Sequence, residues 1–75
     1  MRDKFISAKE IVNRYHLSYQ KVNRYTDAGL LRAVFRKGNM RLFNRQQVHK
    51  RLKQIASLSR EGYSLMLIRK RLVGI

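Results

Sequence analysis

The chain of 75 residues has no cysteine, no proline and only four acidic side chains. Without cysteine, disulfides and thiolate zinc sites are excluded, so packing alone must hold the core. Without proline, low-complexity tracts or internal repeats, nothing marks a linker, and one domain over residues 1–75 is expected. Two histidines and four scattered acids assemble no metal-ligand set. Asp3, Glu10, Asp27 and Glu61 offer no adjacent acid pair, and no nucleophile has a convincing base. A glycine-rich phosphate loop is also missing, so the expectation is a non-enzyme with no cofactor. No apolar run approaches the ~20 residues of a membrane span, and no basic-then-apolar signal peptide opens the chain. A cytoplasmic, nucleoid-associated protein is the corresponding expectation.

What the chain does have is positive charge. Eighteen Lys and Arg against four Asp and Glu give a formal net charge of +14. A folded chain with that imbalance repels itself, and a polyanionic partner is the usual reason to tolerate it. Apolar residues make up 44% of the sequence, normal for a globular protein and too many for a disordered tail.

Cap residues and glycines divide the chain. Ser7-Ala8-Lys9-Glu10 reads as a capping box, since Ser7 can accept from the Glu10 amide while Glu10 reaches back. Behind it Ile11, Val12 and Tyr15 share one face of a short first helix. His16 falls in the turn that follows, where histidine is among the few non-glycine residues that tolerate positive φ. Ser18 is the expected cap of a second helix, with Val22 and Tyr25 facing inward and Gly29 ending it in left-handed geometry. Leu31–Arg36 and Met40–Phe43 flank Lys37-Gly38-Asn39 and read as a β-hairpin, with Phe35 and Phe43 assigned to the core. Asn44 and Gln47 read as a second capping box, opening a helix from Arg45 to about Arg60 with a buried stripe of Val48, Leu52, Ile55 and Ala56. Gly62 closes that helix, Ser64 caps the last one, and Leu65, Ile68 and Leu72 form its inner face. The expected order is helix, helix, hairpin, helix, helix: mainly α with a small β-hairpin.

That order describes a winged helix-turn-helix, and the motifs point further. The run Ile6-Ser7-Ala8-Lys9-Glu10-Ile11, then Leu17-Ser18, Tyr25 and Gly29-Leu30-Leu31 resembles the start of the mercury-resistance regulator (MerR) family. Asn39-Met40-Arg41-Leu42-Phe43 falls where that family has a Gly-Tyr-Arg-x-Tyr wing strand. Arg60-Glu61-Gly62-Tyr63-Ser64-Leu65, with Ile68, is similar to its junction between the last two helices. The resemblance spans Ile6 to Leu72. It departs from the family at Asn23 and Arg24, which stand where the family often has Arg-Tyr, at Arg32 and Ala33, which replace prolines, and at Asn39 and Met40. The family's regulators continue into a dimerising helix and an effector domain, whereas this sequence ends at Ile75, so inducer sensing is not expected to carry over.

Candidate DNA-contacting residues come in two groups. On the second helix they are its cap Ser18 together with Tyr19, Gln20, Lys21, Asn23 and Arg24. Gln20 and Asn23 can pair bidentately with adenine, and Lys21 or Arg24 with guanine or backbone. Lys21 at the third helical position opposes the helix dipole, a local cost that fits an N-terminus facing phosphate. In the hairpin the candidates are Arg36, Lys37, Asn39 and Arg41. The resemblance places Arg41 on the family's backbone-gripping wing arginine, and a guanidinium fork suits phosphate oxygens. His49, Lys50, Arg51 and Lys53 read as an ordinary solvated face. Met66, Leu67 and Val73 on the last helix are candidates for a protein contact or self-association.

The resulting expectation is a sequence-selective binder of double-stranded DNA, with helix 19–28 in the major groove and the 32–43 hairpin as a wing. Transcriptional regulation is favoured by the resemblance, while an excisionase-like or architectural role fits a small basic winged protein without an effector region. A basic RNA- or ribonucleoprotein-binding module stands as the reading from another class.

Overall fold

The computed structural model describes residues 4–75. The elements run β1 (Phe5–Ser7), α1 (Ala8–Tyr15), α2 (Tyr19–Asp27), β2 (Ala33–Lys37), β3 (Met40–Asn44), α3 (Arg45–Arg60) and α4 (Leu65–Val73). The four helices and the hairpin stand in the expected order. The strand β1 is an addition: it pairs antiparallel with β3, giving a three-stranded sheet of order β1-β3-β2. Three residues carry too little period-2 pattern to announce a strand. Only the edge offered by β3, with Ile6 opposite Phe43, makes the segment extended.

Each helix begins where a side chain can take an orphan amide. Ser7 Oγ accepts from Glu10 N at 3.1 Å while Glu10 Oε1 accepts from Ser7 N at 2.9 Å, the full reciprocal box. Ser18 Oγ accepts from Lys21 N at 3.0 Å and Ser64 Oγ from Leu67 N at 3.3 Å. Asn44 Oδ1 likewise accepts from Gln47 N at 2.9 Å, but the second capping box is not completed. Gln47 Nε2 instead donates to the Leu30 carbonyl at 3.4 Å, leaving its Oε1 buried without a partner. With Nε2 turned to that carbonyl, Oε1 does not accept from the Asn44 amide as a completed box requires.

The α1–α2 connection turns through His16 at φ 57°, ψ 42°, left-handed as expected. Gly29 has φ 81°. The amides of Gly29 and Leu30 donate to Thr26 O at 3.0 Å and Tyr25 O at 2.9 Å, which is a Schellman ending. Gly62 and Tyr63 close α3 in the same way, onto Ser59 O and Leu58 O.

The core gathers one face from every layer: Ile6, Ile11, Val22, Tyr25, Leu30, Leu31, Phe43, Val48, Ile55 and Ile68 are buried together. Leu52, Leu65 and Leu72 pack against it half-buried. Two core assignments fail. Ala56 is exposed, because no element among the described residues covers it. Phe35 is 44% exposed, and the cause is a register shift. Ala33 stands opposite Phe43 but Phe35 stands opposite Leu42, so Val34 is an extra residue. A one-residue shift turns every later side chain to the other face. Phe35 therefore points outward and meets Phe5 edge-to-face, ring centroids 5.0 Å apart. Four helices with a small antiparallel sheet in this order form a winged helix-turn-helix.

Candidate nucleic-acid interface

Burying Val22 and Tyr25 fixes the rotation of α2. Helical spacing then places Gln20, Asn23 and Arg24 on the opposite side and Tyr19 and Lys21 on the flanks of the buried face; all five are exposed, as is the cap Ser18. At the head of α2 a shallow depression of about 330 Å³ is lined by His16, Leu17, Ser18, Gln20, Lys21 and Arg24. Four candidate residues, Ser18, Gln20, Lys21 and Arg24, thus converge where the unpaired amides of a helix start add partial positive charge. His16 belongs to this rim, a position its turn role alone did not suggest.

In the hairpin, Lys37 pairs with Met40 across the two-residue turn Gly38-Asn39, with Gly38 at φ 61°. Arg36, Lys37 and Asn39 are exposed. Arg36 stands directly opposite Arg41, and like charges in that relation are destabilising. Arg41 shares the sheet face of Phe43 and is half-buried, its guanidinium carbon 5.8 Å from the Phe43 ring centroid. From there its Nη2 donates to Asn23 Oδ1. This bond ties the hairpin to α2 and brings one candidate of each group together. Its partners are 18 residues apart and no sequence motif announces it.

Tyr25, on the buried face of α2, has its phenol pushed above the ordinary value near 10 by burial, with the Arg24 charge working the other way. On α3 the expected solvated face holds for Lys50 and Lys53, which are exposed. Arg51 is different: half-buried, its Nη1 donates to the Leu72 carbonyl at 3.3 Å, where α4 ends. His49 Nδ1 lies 3.1 Å from the Tyr15 hydroxyl, joining α3 to α1. Met66 and Leu67 are 75% and 51% exposed, whereas Val73 packs against the core.

Among the described residues no group of three or more His, Cys, Asp or Glu is placed to hold a metal ion. No helix among them is long and apolar enough to cross a membrane. Comparison with curated proteins and with solved structures returns no match. The model of the MerR HTH family regulatory proteins matches residues 6–74, nearly the whole chain, and the chain therefore belongs to this family of DNA-binding transcriptional regulators.

Proposed function

We propose that residues 1–75 act as one sequence-selective DNA-binding unit, with α2 in the major groove and the β2–β3 hairpin on the neighbouring backbone. In this reading Gln20, Lys21, Asn23 and Arg24 meet base edges, with Tyr19 and Ser18 beside them. Arg36, Lys37, Asn39 and Arg41 hold phosphates. The observation that carries it is the Arg41–Asn23 hydrogen bond, which presents the wing arginine and the reading helix at a set spacing before DNA arrives. Preorganisation of this kind lowers the ordering cost of binding. Asn23 remains able to read a base, since Oδ1 keeps a second lone pair and Nδ2 both hydrogens. The unfavourable Arg36–Arg41 pairing adds support, because a phosphate between the two guanidinia would turn repulsion into attraction.

Selection from a randomised duplex library, at physiological salt and with excess nonspecific competitor, tests the reading. The expected result is an enriched motif whose identity changes when Gln20, Lys21, Asn23 and Arg24 are all replaced by alanine. Replacing Arg36 and Lys37 should weaken binding to every sequence alike. An unchanged motif in the fourfold variant would overturn the assignment of α2. Inverted half-sites would indicate a paired regulator, and direct repeats a cooperative, excisionase-like array. Preference for structured RNA over duplex DNA would replace the reading altogether.

A further inference from the structure

One side of α3 is only partly covered among the described residues. Leu52, Ile55, Ala56 and Ser59 follow helical spacing, yet Ala56 and Ser59 are exposed. Together with Tyr15 and Leu17 from the α1–α2 region and Tyr25 from α2, they line an open groove of about 560 Å³, a volume ordinary for small-molecule sites. Its remaining lining is Lys21, His49, Lys53 and Arg60. The Tyr15–His49 contact at 3.1 Å fastens α1 to α3 along the groove. Lys53 and Arg60 lie seven residues apart, about 10 Å along the axis, with the small Ala56 between them. No acidic side chain lines the groove.

We infer that this groove binds an amphipathic organic anion, an apolar body carrying a carboxylate or sulfonate. The body lies over Ala56 against Leu17, Leu52 and Ile55, and the anionic group is held by Lys53 and Arg60. The same charge argument disfavours a second copy of the chain, which carries +14 and four acids in 75 residues. A regulatory consequence rests on the function proposed above. Lys21 lines both this groove and the depression at the head of α2, so an anion that draws Lys21 into the groove withdraws it from DNA. Ligand and DNA then oppose each other reciprocally.

The test uses the full chain and the probe 1-anilinonaphthalene-8-sulfonate, followed by its fluorescence in the absence of DNA. Saturable binding is expected, displaced by dodecanoate below its micelle concentration and not by dodecyltrimethylammonium. Ala56→Glu places a carboxylate three and four residues from Lys53 and Arg60 on an exposed helical surface, pairings that support the helix. This variant should keep its melting temperature and lose probe affinity by about tenfold or more, a change worth about 1.4 kcal/mol or more. Met66→Ser with Leu67→Ser, which removes the exposed apolar patch on α4, should leave probe binding unchanged. Displacement by the cationic amphiphile, or loss of binding in the α4 variant instead, would overturn the site. Dodecanoate should also weaken DNA binding by the unmodified chain and not by Ala56→Glu. Equal DNA affinity with and without dodecanoate, while the probe still binds, would overturn the regulatory coupling and leave the site standing.

Discussion

Arg41 is the residue on which the surface turns. Its guanidinium lies by the Phe43 ring while its donor reaches Asn23, so much of its rotamer freedom is already spent in the free protein. Truncating either partner should weaken DNA binding, and the double variant Asn23→Ala/Arg41→Ala should lose less than the two single losses combined. A coupling of about 0.5–1.5 kcal/mol is expected for a hydrogen bond in this setting, read from titrations of all four proteins on one duplex. Additive losses would mean that the bond plays no part in binding. Tyr25 makes a second prediction at this scale. Because burial raises its phenol pKa above the unfolded value near 10, the folded state favours the neutral form. The associated stability is complete below pH 10 and declines as pH rises through the folded pKa. Tyr25→Phe should therefore melt less readily than the parent between pH 10 and 12 when each is referred to its own neutral-pH value.

Among the elements, α2 has a less complete N-terminal cap than α1. The helix α1 has a reciprocal box because its third residue is Glu10; α2 has Ser18 but Lys21 in the equivalent place, with no acidic residue in its first turn. Lys21→Glu would restore the box and complement the dipole, and should raise stability by about 0.5–1 kcal/mol. For a chain of this size that is about 2–8 °C in melting temperature. On the docking proposed above, the same change should lower DNA affinity by about tenfold or more, since it reverses a charge at the end of the helix that meets the DNA. A variant that gained stability without losing affinity would remove Lys21 from the interface. The hairpin carries a comparable compromise: β2 is exposed throughout, and its arginine opposite Arg41 deters edge pairing while serving the surface.

For the whole molecule, the excess of cations sets the thermodynamics of association. With about six to eight phosphates neutralised, the log–log slope of affinity against salt should be roughly −5 to −7. Fluorescence anisotropy between 50 and 300 mM salt measures it directly. Removing Arg36 and Lys37 together should reduce the slope by about two. A slope unaffected by both substitutions would detach the hairpin from the backbone. The small size of the chain also bounds what one copy can do, since specific complexes of single modules bury only about 600–1,000 Å². Tight specific binding then calls for a second copy or a partner.

Much of this architecture was decided locally and could be read from the sequence. Ser7, Ser18, Asn44 and Ser64 each start a helix, and His16, Gly29 and Gly62 each sit where the chain must turn left-handed. Such signals involve residues three or four apart, so their physics is complete within one segment. The exposure of Tyr19, Gln20, Lys21, Asn23 and Arg24 was legible for the same reason, once Val22 and Tyr25 marked the inner face. What the sequence left open depends on partners far along the chain. The strand β1 exists only because β3 offers it an edge, Gln47 leaves its local box for Leu30 O, and the extra residue Val34 turns Phe35 outward. The Asn23–Arg41 bond and the open groove over Ala56 likewise arise from how helices and sheet come to rest against one another. Local spacing determined the elements and their faces; only the assembled tertiary structure decided which faces were covered and which side chains met.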